Sequence, residues 1–155
     1  MVVNQLDLGY LALFLGQRIN ELVLARARAA GFTELRESQG YVVQHLIESE
    51  RSITELARRM EVSQQAASKA VAEMVTLGIL ETTTGGDRRS KMVRLSERGW
   101  QAVQFSRRSR KQIDKRLRGV LGTEKYEEAR STLLACLTAL GSVQRIASRR
   151  VRPPQ

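Results

Sequence analysis

The sequence holds a single cysteine, Cys136, and a single histidine, His45, among 155 residues. One thiol cannot form a disulfide within the chain, and the two residues are too few for a Cys/His zinc cluster. No metal and no cofactor is expected. Long apolar runs are missing as well: the N-terminal LALFL has no basic segment before it, and Asp7, Gly9, Gly16 and Gln17 interrupt it too early for a signal peptide or a membrane span. The expected location is the cytoplasm, with no membrane partner. No low-complexity block occurs, so most of the chain is expected to fold, as one ordinary domain or as a small head on an extra helical part. A phosphate-cradling glycine loop and a carboxylate pair of plausible geometry are also lacking. With His45 and Cys136 far apart, these absences argue against an enzyme. His45 lies between Gln44 and Leu46 and is assigned no role.

Acidic residues are scarce in one region only. The net charge of +10 is uneven: residues 1–87 carry 8 basic and 11 acidic side chains, residues 88–118 carry 12 and 2, and residues 119–155 carry 6 and 3. An evenly spread excess would serve solubility. A block of this kind suits a polyanionic partner, with phosphates facing a local stripe.

That block follows the most informative stretch, Ser52 to Gly99. Ser52 and Glu55 have the spacing of a capping box, in which the serine oxygen takes a backbone N–H and the glutamate reaches back. Ile53, Leu56, Ala57 and Met60 form the buried side of a short helix, Glu61 and Val62 a turn, and Ser63 the cap of the next helix. That helix runs to about Leu77, with Gly78 as terminator. At 100° per residue, Ala67, Ala70, Val71, Met74 and Leu77 gather on one side, and Gln65, Ser68, Lys69, Ala72 and Thr76 on the other. Such a helix pair can put its second member in the DNA major groove. Ser63, Gln64, Gln65 and Ser68 are then base-reading candidates, since glutamine can pair bidentately with adenine. Lys69 suits phosphate. Ile79–Thr84 and Lys91–Leu95 predict a hairpin around GGDRR, where Gly85 and Gly86 permit the tip. Arg88 and Arg89, with Lys91 nearby, can enter a minor groove of enhanced negative potential, and Asp87 can hold an arginine in place.

Helical periodicity covers most of the remainder. Leu8, Leu11, Leu15, Ile19 and Leu22 predict a helix from about Leu6 to Ala30, ended by Gly31. Leu13 and Phe14 form a second apolar set, which suggests burial against its own domain and against a partner subunit. Thr33 is the expected cap of a helix through Tyr41, Val42, Leu46 and Ile47. Ser96 is expected to cap a helix from about Glu97 to Val120, with Val103, Ile113, Leu117 and Val120 on one face. Beside them runs a basic stripe of Arg107, Arg108, Lys111, Lys115 and Arg118. Three readings of it stay open: a solvated face, an extended DNA footprint, or pairing with acids such as Glu21 and Glu34. Arg110 falls nearer the apolar side, where it snorkels or faces an anionic ligand. After Gly122 and Thr123, a last helix is expected from about Glu124 to Arg149, with Cys136 among Leu133, Leu134, Leu137 and Leu140.

The run DRRSKMVRLSERG, preceded by a helix ending in LGIL, resembles the wing signature of the MarR (multiple antibiotic resistance regulator) family of winged helix-turn-helix transcription factors. The signature positions are Asp87, Arg89, Leu95, Ser96 and Gly99, and SITELARRMEVSQQAASKAV resembles the family's helix pair. Ala66 and Ala67 depart from it, standing where bulkier residues are common. The resemblance implies a mainly α fold with a small β-hairpin wing, a winged helix-turn-helix domain plus a helical dimerisation region. Residues 32–99 would bind DNA, 1–31 and 121–155 would dimerise, and 100–120 would link the two. It further implies a homodimeric repressor on a pseudo-palindromic operator, released by a small aromatic or phenolic ligand. Tyr10, Phe14, Tyr41, Trp100 and Arg110 are ligand candidates by their chemistry. Some family members sense oxidants through a cysteine near the first helix, and this sequence has none there. The alternative reading is a nonspecific architectural DNA-binding protein; a fold that has lost DNA binding and serves protein interaction is a further rival.

Overall fold

The computed structural model describes residues 3–84, 91–141 and 143–147. A 3-10 turn, Val3–Gln5, leads to α1, Leu8–Ala29. The Asp7 carboxylate starts this helix by accepting from Tyr10 N at 2.9 Å, and Gly31, at φ +94°, ends it. The following helix α2, Glu37–Val43, begins later than Thr33. The Thr33 hydroxyl bonds the Glu34 carboxylate instead. The start of α2 is fixed from within, by the buried Gln39 side chain accepting from Arg36 N at 3.1 Å. Residues 44–46 are turn, not helix, and carry Leu46 into the core.

Next come β1 (Arg51–Ser52), α3 (Ile53–Met60), α4 (Gln64–Thr76), β2 (Leu80–Thr84) and β3 (Lys91–Leu95). The expected two-stranded hairpin is a three-stranded antiparallel sheet of order β1-β3-β2. Glu81 lies opposite Arg94, Thr82 opposite Val93, and Arg51 pairs with Val93 on the other side. Two residues of β1 are too short to leave a periodic signal. Val93 and Leu95 alternate with exposed Arg94, as a strand buried on one face requires. They close a core with Val42, Leu46, Leu56, Val71, Met74, Ile79 and Leu80. Each such side chain contributes roughly 1.5–3 kcal/mol by leaving water.

The long helix α5, Glu97–Leu121, starts inside this unit. Ser96 caps it by accepting from Gly99 N at 3.0 Å, while its own hydroxyl donates to the carbonyls of Gly78 and Ile79. Gly99 sits against Ile79 so closely that a Cβ would lie 2.2 Å from the carbonyl oxygen. Further along, α5 packs on α1, where Arg26 donates to the Ser109 carbonyl and to Gln112. After Gly122, at φ +82°, α6 (Thr123–Ala139) packs on the end of α5. The expected single last helix is broken: Leu140 and Gly141, the latter at φ +70°, separate α6 from α7, Val143–Ala147. Among the described residues the apolar rows of α1 and α6 stay largely uncovered. Leu8, Leu11, Leu13, Phe14 and Leu15 of α1 are exposed, with Val120, Leu134, Leu137 and Leu140.

Candidate nucleic-acid interface

The helix pair is built from its caps. Ser52 Oγ accepts from Glu55 N at 3.2 Å, but only this half of the expected capping box forms. The Glu55 carboxylate turns to arginines instead: Arg58 through Nε and Nη2, Arg59 through Nε at 2.6 Å, and Arg51 Nη1 at 4.0 Å. The hydrogen bonds from Arg58, then those from Arg59, hold its carboxyl down at about 2. Glu61 closes α3 in the left-handed region, φ +56°, with its N–H on the Arg58 carbonyl, and Val62 N bonds the Ala57 carbonyl. The chain thereby turns within three residues, and Ser63 Oγ receives Ala66 N at 3.1 Å to start α4.

This turn sets which side of α4 faces outward. Ala67, Val71 and Met74 are buried, the first by its small size close to its neighbour. Ser63, Gln64, Gln65, Ser68 and Lys69 are all exposed along the first two turns. Gln64 Nε2 also donates to Thr54 Oγ1 of α3 at 3.3 Å, a contact the sequence did not suggest. Lys91 is exposed at the start of β3. Asp87, Arg88 and Arg89 lie outside the described residues. At the base of the ribbon, Arg94 and Glu81 pair across the strands at 2.6 Å.

A cleft of about 410 Å³ opens between α1, α2 and α5. Val23, Leu24, Leu35 and Val103 give it apolar walls, and Tyr41, Arg107 and Arg110 lie in its lining. Of the five ligand candidates, Tyr41 and Arg110 are brought together here. Tyr10 and Phe14 stack on each other at 6.1 Å on exposed α1, and Trp100 is exposed on α5; none of the three lines the cleft. Sequence reasoning missed Asn20. Its side chain accepts from Arg110 and donates to Glu37 at 2.6 Å, joining the three cleft helices.

The stripe on α5 is exposed at Arg107, Arg108, Lys111, Lys115 and Arg118. Pairing with Glu21 and Glu34 does not occur, because Glu21 holds Arg18 and Glu34 holds Arg98. The Arg98 hydrogen bond keeps the Glu34 carboxyl below the usual carboxylate range. Arg118 pairs with Glu127 at 2.7 Å and covers the Tyr126 ring.

Residues 31–90 match the model of the MarR family. This segment is of the MarR family. Over about nine-tenths of its length the chain has a MarR-type fold. It superposes on YusO from Bacillus subtilis with TM-score 0.69 at 22% identity, covering 90% of this chain and 99% of that one. For wild-type MarR from E. coli the TM-score is 0.61 at 17% identity, covering 85% and 98%. A MepR variant from S. aureus, solved bound to an oligodeoxyribonucleotide, gives 0.64 at 14% identity, covering 88% and 99%. No curated protein matches. The MarR match takes in α2, α3, α4 and β2, so the capped helix pair lies wholly inside it. Among the described residues no helix is long and apolar enough to cross a membrane, and no group of three or more His, Cys, Asp or Glu could hold a metal ion.

Proposed function

We propose that this protein is a sequence-specific double-stranded DNA-binding transcription regulator, acting in the cytoplasm as a homodimeric repressor. The observation that carries the reading is the Ser63-capped start of α4, with Gln64, Gln65, Ser68 and Lys69 exposed together beside a charged ribbon. A helix of this kind enters the major groove by its N-terminal turns, where glutamine pairs with adenine and lysine meets phosphate. Asp87, Arg88, Arg89 and Lys91 form the minor-groove part. The oligodeoxyribonucleotide on MepR supports the assignment by likeness of fold.

Residues 32–99 form the reading unit, 100–120 the link, and 1–31 with 121–155 the pairing region. The exposed leucines of α1 and α6 support a second copy as their cover. A two-fold pair places its reading helices about 34–36 Å apart on a pseudo-palindromic operator. A small aromatic or phenolic ligand in the cleft, against Tyr41 and Arg110, would release the repressor by favouring a spacing that does not fit DNA.

Binding-site selection from random duplexes tests this reading. One palindromic motif is expected, with Gln65→Ala relaxing one base pair by about 1–3 kcal/mol and Arg89→Ala weakening all binding. The +10 charge of residues 88–118 favours the second reading, a nonspecific architectural protein. That reading takes over if random DNA competes as well as the selected duplex.

A further inference from the structure

The winged unit has a second outward line, on α3. Thr54 and Arg58 are one helical turn apart and exposed, while Leu56 and Ala57 between them are buried. Thr54 Oγ1 accepts from Gln64 Nε2, so this line begins against the first turn of α4. Beside it, the Glu55 carboxylate grips Arg58 by Nε at 3.0 Å and Nη2 at 2.9 Å. A guanidinium presents five N–H donors in one plane. The grip uses one edge and leaves Nη1 without a partner among the described residues, on a side chain 65% exposed. Arg59, held through Nε, has no further partner on its terminal nitrogens among the described residues. Three arginines around one carboxylate leave the cluster at net +2.

In helix-turn-helix complexes the first helix crosses the sugar-phosphate backbone while the second enters the groove. We propose that Thr54 and Arg58 bind the DNA phosphate flanking the base pair read by Gln64, and that Glu55 is the positioning residue that aims the Arg58 guanidinium. The proposal rests on the DNA-binding reading above. The Thr54 hydroxyl takes the Gln64 amide on its oxygen and keeps its own hydrogen for a phosphate oxygen. Arg58 supplies Nη1 beside it. Because Glu55 has already fixed the arginine rotamer, less side-chain entropy is lost when the phosphate arrives.

The sign of one substitution separates positioning from charge. Glu55→Gln makes the protein more positive, so by charge alone it tightens DNA binding. If Glu55 aims Arg58, the same change weakens binding. The experiment uses the full chain and a duplex selected by the unaltered protein, with affinity read by fluorescence anisotropy across about 50–200 mM salt. Arg58→Gln is expected to reduce the slope of log affinity against log salt by about 0.9, one phosphate contact, for every duplex alike. Glu55→Gln is expected to weaken binding several-fold with a similar loss of slope, to add nothing once Arg58 is glutamine, and to be rescued by Glu55→Asp. Circular dichroism checks folding; should Glu55→Gln not fold, the slope of Arg58→Gln decides alone. Tighter or unchanged binding by Glu55→Gln, or an unchanged slope for Arg58→Gln, overturns the proposal. If Gln65→Ala weakens binding while the α3 variants behave as the unaltered protein, the proposal fails and the reading helix stands. If the unaltered protein enriches no duplex and binds none, both fail.

Discussion

Replacing Gly99 by alanine sets a methyl group 2.2 Å from the Ile79 carbonyl oxygen and 3.2 Å from a Leu95 methyl. The oxygen cannot withdraw freely, because it accepts from Ser96 N at 3.1 Å and Ser96 Oγ at 3.0 Å. Overpacking costs about 1–3 kcal/mol, and contact with backbone puts this site at the upper end. One weakened hydrogen bond adds about 1 kcal/mol, and the better helix propensity of alanine returns up to about 1 kcal/mol. The net loss is about 3 kcal/mol, which for a chain of this size lowers the melting temperature by about 6–12 °C. Thermal unfolding by circular dichroism at one fixed protein concentration measures it. Gly119→Ala is the control. It lies on the same helix with nothing within 4 Å of its added carbon, and it should leave stability unchanged or raise it by up to about 1 kcal/mol. If Gly99→Ala melts with or above the unaltered protein, close approach does not explain this glycine.

Ser96→Ala removes the cap of α5 and a donor to two carbonyls, and should cost about 1–2 kcal/mol in urea unfolding, less than Gly99→Ala. Glu55 titrates lower in the folded chain than its ordinary 4.5, so its stabilising contribution is complete above about 4.5 and is lost as pH falls toward about 2. The difference in melting temperature between the unaltered protein and Glu55→Gln should therefore shrink across that window; a constant difference would contradict the ion pairs. Leu134→Asp, on the uncovered face of α6, should weaken self-association at least tenfold by sedimentation, since burying one leucine contributes about 1.5–3 kcal/mol. An unchanged oligomer would place the contact elsewhere.

What could be read in the sequence was local. The serine caps at positions 52, 63 and 96 each sit where a hydroxyl meets an N–H three residues on, and this geometry is written in spacing alone. The exposed face of α4 followed from period, because its opposite side is apolar without interruption. Features that depend on distant partners were not legible. β1 exists only because β3, some forty residues later, lies beside it. The second half of the Ser52 box lost Glu55 to arginines whose guanidinium reach is not visible in a helical wheel. Thr33 gave way to a start fixed by Gln39, and Gly141 outweighed the apolar period that predicts a single last helix. The cleft gathered Tyr41 and Arg110 but not Trp100, since one residue type suits both a ligand and an open helix face.

The helix α5 is fastened near its start, by Gly99 on Ile79, and at its middle, by Ser109 and Gln112 on Arg26 of α1. Its 25 residues make a rod about 37 Å long. The stretch from the α1 fastening to the start of the helix is about 20 Å long and turns angle into distance: a tilt of about 5° at the α1 contact moves the winged end by about 2 Å. In a two-fold pair the two displacements add to about 4 Å, against a groove repeat of about 34–36 Å. Under the proposed mechanism, a ligand wedged among α1, α2 and α5 would need to alter only a few degrees of helix inclination to set whether both copies can touch the same duplex.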